Sequence, residues 1–183
     1  MKEKLMGLAL ICLMAFSFGV NLLSNPGFET NSFQYTSNVF NTGITNDHWA
    51  NTSYAMRSTV SHTGTYSMRI NKVAGVSGRG FEQIVEFSIG NGTKMNASIW
   101  AKNTTKTSGH KYAMYVQYLN PAKGVIYFYS LGFYPTSTWT KYSINGMTVP
   151  ANASYVQLII VSLNTSYAQL AYFDDAELVP YTP

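Results

Sequence analysis

Beyond residue 20 the chain has almost no apolar spacing of three and four residues, so helices are not expected. Short runs rich in Val, Ile, Tyr, Phe and Thr recur instead, separated by Gly, Asn, Pro or Ser-Thr clusters. The pattern predicts strands over Ser67–Val73, Phe81–Ile89, Met95–Lys102, Tyr112–Asn120, Val125–Phe133, Thr140–Thr148, Tyr155–Leu163 and Tyr172–Val179. "NPAKG" between two such runs reads as a hairpin connection. In "KMNASIWA", Met95, Ala97 and Ile99 share one face, and Asn96, Ser98 and Trp100 share the other. In "YFDDAEL", alternation puts Tyr172, Asp174, Ala176 and Leu178 together, so Asp174 needs a partner on an apolar face. Many short strands at this spacing predict an all-β sandwich of two sheets, in a single domain over 20–183 with no repeat or linker.

The first residues have a different character. Lys2 and Lys4 precede an uncharged apolar run, Leu5 to Phe18, and small residues Ser17 and Gly19 stand at the −3 and −1 positions of a cleavage site after Gly19. This is the pattern of a secretory signal peptide over 1–19, too short to span a bilayer, and it predicts a secreted or cell-surface protein. Cleavage would remove Cys12, the single cysteine, leaving a domain of about 160 residues that must hold together without disulfides. Only 11% of residues are charged, well under the usual quarter or so. Twelve Lys and Arg against eight acids are scattered, so nucleic acid is not an expected partner. Sequons at Asn51, Asn91, Asn96, Asn103, Asn152 and Asn164 are candidate glycosylation sites and expected surface positions.

The mature chain opens with "NLLSNPGFET". Pro26 and Gly27 predict a turn that lets Phe28 drop into a core and sets Glu29, one of few acids, at a chosen place.

That opening, Trp49, "SHTGTYSMRI", "FEQIVEF", "NASIWAK", "TWTKYSINGMTVPANASYVQLIIV" and "AYFDDAELV" together resemble carbohydrate-binding modules of the family 4/9/22 type. The resemblance runs from Asn21 to Val179 and implies a two-sheet jelly roll of the galactose-binding-like fold. It also implies a structural calcium near the paired chain ends, held by Glu29, by Asp174 or Asp175, and by backbone around Ser61 to Thr65. Such hard oxygen ligands suit calcium, and the ion would tie the first strand to the last.

A pyranose ring needs an aromatic face and polar groups for its hydroxyls. Trp100, on a strand face with Asn96 and Ser98, is one candidate platform. Tyr115 and Gln117 share a face of their strand, opposite Tyr112 and Tyr118, and Tyr127 and Tyr129 share a face of the next; these are candidate groove residues. Trp49 and Trp139 fall at scaffold positions of the family, which implies core packing. A glycan on Asn96 would crowd a groove around Trp100, so that face is expected to serve one purpose only.

Catalysis is not expected. Glu82 and Glu86 lie on one strand face about 13 Å apart, too far for a glycosidase pair. His48, His62 and His110 read as isolated loop residues without metal-ligand spacing. Two readings remain. One is a secreted non-catalytic module binding a polysaccharide or glycan. The other is a glycosylated structural subunit of a filament, cell surface or virion, in which Val20 to Ser24 could pair with a neighbour's sheet edge.

Overall fold

The computed structural model describes residues 20–35, 49–72, 74–76, 78–104, 111–163 and 168–181. The expected leader, Cys12, His48, His110 and Asn164 lie outside them. Eleven strands are described: β1 (Phe33–Tyr35), β2 (Trp49–Asn51), β3 (Ala55–Ser58), β4 (Ser67–Lys72), β5 (Gly80–Glu86), β6 (Lys94–Asn103), β7 (Tyr112–Leu119), β8 (Val125–Phe133), β9 (Thr140–Thr148), β10 (Tyr155–Ser162) and β11 (Gln169–Pro180). They form a six-stranded sheet, β1-β2-β5-β10-β7-β8, and a five-stranded sheet, β3-β4-β11-β6-β9. Every pairing is antiparallel except β1 with β2. The all-β sandwich is the architecture the apolar pattern predicts. Among the described residues no helix is long and apolar enough to cross a membrane.

The core lies between the sheets. Phe28, Trp49, Phe81, Phe173 and Tyr112 pack edge-on or tilted, with ring centroids 5.0–5.6 Å apart from one to the next. Met68, Ile99, Met114, Val116, Leu158 and Ile160 fill the space around them. Trp49 is fully buried, as expected, and its indole N–H donates to the Asn25 carbonyl (3.0 Å). Trp139 is not a core residue. It is half-exposed and meets His62 edge-on at 5.5 Å.

The chain start is hydrogen-bonded to its own last strand. Leu22 N donates to Leu178 O (2.9 Å), and the Asn21 amide bridges Ala176 O and Leu178 N. The start thus flanks β11 where β4, which pairs only as far as Phe173, no longer does. The Gln83 side chain then holds both backbone groups of Ser24 (2.9 and 3.2 Å). Phe28 N donates to Asn25 O across the Pro26–Gly27 turn. Phe28 takes φ 57°, unusual for a bulky residue, and packing against three aromatic rings holds it there.

Simple alternation fails in β11. Asp174 faces Trp100 and Glu177 faces Ser98, so Asp175 and Ala176 together oppose Ile99. This is a β-bulge, with Asp175 at φ 45°. Phe173, Ala176 and Leu178 therefore face the core, while Tyr172, Asp174 and Glu177 face outward. The expected grouping of Asp174 with Ala176 and Leu178 is corrected: the extra residue resets the alternation.

Candidate functional site

The outer face of the five-stranded sheet carries a carboxylate corner. The loop from 59 to 66 folds over the bulge and buries Asp174 completely. Asp174 Oδ2 accepts N–H bonds from His62 (2.7 Å) and Thr63 (3.2 Å), and its Oδ1 accepts from Asp175 N (2.8 Å). Asp175 takes His62 Nδ1 (2.7 Å) on one oxygen and the Thr63 hydroxyl (2.6 Å) on the other. Glu29 Oε1 accepts from Thr65 N and Tyr66 N (3.0 and 3.1 Å). Ser61 Oγ closes the loop onto Gly64 O (3.2 Å). Gly64 has φ +60°, and a Cβ there would collide with the Glu29 carboxylate, so the loop needs glycine for both reasons. Burial pushes the Asp174 carboxyl up to about 6, against the N–H bonds from His62 and Asp175 that hold it down.

Glu29, Asp174, Asp175 and the Ser61–Thr65 loop thus meet, as the resemblance implies for a calcium site. Their chemistry is different. The loop turns N–H and hydroxyl donors toward the carboxylates, whereas calcium needs oxygen lone pairs. Among the described residues no group of three acids, histidines or cysteines is arranged to hold a metal. The residues present do not fit the ion. Direct hydrogen bonds join the first residues to the last strand.

His62 is central to this corner. Its ring stacks on Trp100 with centroids 4.0 Å apart and planes 17° apart. Trp100 is therefore not an open platform: its outward face is covered by the loop. Lower on the same face, Glu177 accepts from Ser98 Oγ (2.6 Å) and Lys141 Nζ (2.7 Å), and Asn96 Oδ1 accepts from Gly146 N (2.9 Å). Burial pushes the Glu177 carboxyl up, but Lys141 and Ser98 outweigh it and leave it below the usual range.

The outer face of the six-stranded sheet is built otherwise. Directly paired residues share a face, which gives two adjacent cross-strand rows. One runs Glu82, Ile159, Tyr115, Ser130; the next runs Ile84, Gln157, Gln117, Phe128. Tyr155 and Glu86 face each other one row further on. Gln157 and Glu82 are 3% and 1% exposed, and the Gln157 amide donates to Glu82 Oε2 (2.7 Å). Gln117 Oε1 is buried and has no hydrogen-bond partner among the described residues. Phe128 is 53% exposed beside Tyr115, ring centroids 6.3 Å apart. At the next end Ala113, Ile159 and Val161 form a small apolar cluster against Tyr115. This face offers aromatic surface, a buried carboxylate–amide pair and an orphaned amide acceptor.

The structure brings Tyr115 and Gln117 together but separates the other expected groove residues from them. Tyr127 pairs with Tyr118, whose ring is in the core, so Tyr127 and Tyr129 lie on the inner side of edge strand β8. Tyr129 OH bridges to the backbone of Thr148 in the opposite sheet, closing the sandwich edge. Trp100 and Asn96 lie on the other sheet, so a glycan on Asn96 would leave the Tyr115–Gln117 face free. Glu82, Gln157, Tyr155 and Phe128 were missed as site residues. Gln157 in "YVQLIIV" was the available signal: an amide inside an otherwise apolar strand. Among the sequons, Asn91 and Asn152 are exposed, while Asn51 and Asn96 are half-buried with side-chain hydrogen bonds. Asn103 is 3% exposed, so it is not the surface position expected, because it continues the core-facing row of Ala97, Ile99 and Ala101.

No protein-family model matches the chain, and no curated protein does. Solved structures do. TmCBM61 in complex with β-1,4-galactotriose aligns at TM-score 0.58 with 18% identity, covering 88% of this chain and 99% of its own. The CBM22-1 xylan-binding domain of Paenibacillus barcinonensis Xyn10C aligns at 0.58 with 13% identity, covering 90% and 97%. The enzymatically active domain of Bacteriophage CBA120 tailspike protein 4 aligns at 0.59 with 16% identity, covering 88% of this chain and 21% of that one. The fold is that of the galactose-binding-like jelly rolls found among carbohydrate-binding modules.

Proposed function

We propose that this chain is a non-catalytic carbohydrate-binding domain that holds a neutral polysaccharide or glycan on the outer face of its six-stranded sheet. The observation that carries the reading is the orphaned, buried Gln117 Oε1 beside the Gln157–Glu82 pair, with Tyr115, Phe128 and Tyr155 around them. A buried acceptor without a donor is costly, and a sugar hydroxyl is a suitable donor. The rings supply the apolar surface that a pyranose C–H face needs. Glu82 is tied to Gln157 and has no second carboxylate beside it in its cross-strand rows, which supports binding and not hydrolysis. The sugar-binding neighbours of the same fold support this class, and the leader supports export from the cell. The reading does not rely on a calcium ion.

The test is affinity electrophoresis against soluble β-glucans, xylans, mannans and galactans. Retardation by one of them, lost in Tyr115→Ala and in Gln117→Ala with melting temperature kept, is expected. No retardation on any gel would remove the reading.

One observation favours the second reading, an assembly subunit. Edge strand β8 exposes Val125, Ile126, Tyr127 and Phe128 in succession, each at least 40% accessible. Such an edge is a template for pairing with another chain. Self-association by light scattering, abolished by Tyr127→Lys, would support it; a monomer at high concentration would argue against it.

A further inference from the structure

A second hollow, about 470 Å³ in volume, opens at the free edge of the five-stranded sheet. Asn31, Arg57, Ser58, Thr59, Tyr66 and Arg69 line it. Its size is that of an ordinary small-ligand site. Arg57 leaves β3 and Arg69 leaves β4, from opposite faces by register: Arg57 pairs with Met68 of the core, and Arg69 with exposed Met56. Because β3 is the edge strand, both side chains reach one hollow around it.

The hydrogen bonding of both guanidiniums is incomplete. Arg57 lies over the Tyr66 ring at 3.3 Å and donates one Nη2 bond to the Glu29 carbonyl (2.9 Å). Among the described residues Arg69 Nη2 reaches the Met56 sulfur, a poor acceptor. The Nε of each arginine is buried and has no partner among the described residues. Neither takes part in an ion pair there; the salt bridges join His62 to Asp175 and Lys141 to Glu177. Among the described residues no acid lines the hollow, and the Glu29 carboxylate is turned onto Thr65 N and Tyr66 N. A guanidinium stacked on a ring still carries in-plane N–H donors, the groups that fork onto an oxyanion. Ser58 and Thr59 add hydroxyls and Asn31 an amide for what surrounds the anion.

We infer that this hollow is an anion subsite that takes the carboxylate or sulfate group of an acidic saccharide, separate from the Tyr115–Gln117 face. The anion chemistry is read from the two arginines; that the anion is carried on a saccharide rests on the function proposed above.

The test measures three ligands on the wild type, Arg57→Gln, Arg69→Gln and the control Lys94→Gln, which removes one exposed charge elsewhere. Affinity electrophoresis on polygalacturonate and on dextran sulfate separates the carboxylate from the sulfate source. The shift in melting temperature with inorganic sulfate reads the anion alone. Expected are retardation by at least one acidic polymer, weakened tenfold or more in both arginine variants and unchanged in Lys94→Gln. Sulfate should raise the melting temperature of wild type but not of Arg69→Gln. Arg69→Gln keeps the test decisive if loss of the Arg57 stack unfolds the loop. The inference is overturned if both variants bind as wild type does, if Lys94→Gln weakens binding equally, or if neither acidic polymer nor sulfate has any effect. Binding of a neutral polysaccharide alone would overturn this inference and leave the Tyr115–Gln117 reading standing. Arginine-dependent acidic binding without neutral binding would do the reverse.

Discussion

The two outer faces of this sandwich use similar residues for opposite ends. On the five-stranded sheet, every oxygen of Asp174 and Asp175 is met by a donor from the chain, and the Trp100 ring is covered by His62. On the six-stranded sheet a buried amide oxygen has no donor among the described residues, and Phe128 stands open. A polar cluster that satisfies itself braces a fold, whereas one that leaves a group unmet is prepared for something else. The same criterion separates the arginine hollow, whose two Nε groups have no partner among the described residues, from the Lys141–Glu177 pair toward the opposite edge of the same sheet.

The contrast can be broken most forcefully at Asp174. Asp174→Ala would strip the acceptor from His62 N, Thr63 N and Asp175 N inside a closed corner. A loss of about 3 kcal/mol in urea unfolding is expected, with glycan affinity of the folded fraction unchanged. An effect under about 0.5 kcal/mol would mean that water replaces the carboxylate and that the corner is not a brace.

At the other face stability and binding should move apart. Gln117→Leu removes an unmet acceptor, so it should raise stability by roughly 1 kcal/mol while weakening polysaccharide binding tenfold or more. Trp100→Ala should do the opposite, lowering stability through its lost stack with His62 and leaving affinity alone. If Trp100→Ala abolishes binding and Gln117→Leu does not, the two faces have been assigned the wrong way round.

A smaller effect is the pH dependence. Asp174 titrates near 6 in the folded chain against about 3.8 for an ordinary aspartate. Its raised value means that the stability linked to its protonation is full below about pH 3.8 and is lost as pH rises through 6. Glu177, held below its usual range, acts in the opposite sense at lower pH. The difference in stability between wild type and Asp174→Asn should therefore change between pH 4 and 6 and level off above about 7; a flat difference would contradict the burial described. Smallest of all is the response to chelator, expected to move the melting temperature by less than about 1 °C because N–H donors already occupy the carboxylates. A fall of several degrees would restore calcium to the corner.

How much of this could be read in advance differs by element. Strands β8 and β9 were legible to the residue, and β6, β7 and β10 nearly so, because each is a run of eight or more residues bounded by turn or loop signals. The short strands β1, β2 and β3 were not, since three or four residues hold no period. The meeting of Glu29 with Asp174 and Asp175 came from the resemblance. What fills the space between them is a matter of which way the 59–66 loop turns its N–H groups, and no composition records that. Tyr115 and Gln117 were rightly paired on one strand face. Tyr127 and Tyr129 were wrongly joined to them, because sharing a face within one strand does not say which face its neighbour presents.

The chain by itself determined an all-β sandwich, the burial of Phe28, and the strand faces wherever alternation was unbroken. Local sterics and the two-residue period of an extended chain act over neighbouring residues, so they are written in the order of residues. Tertiary structure alone decided that one bulged residue, Asp175, would turn Ala176 and Leu178 inward, that His62 would cover Trp100, and that Gln117 would be buried without a donor. Each of these depends on residues brought together across strands or loops distant in the chain, and a contact of that kind exists only once the two sheets have closed.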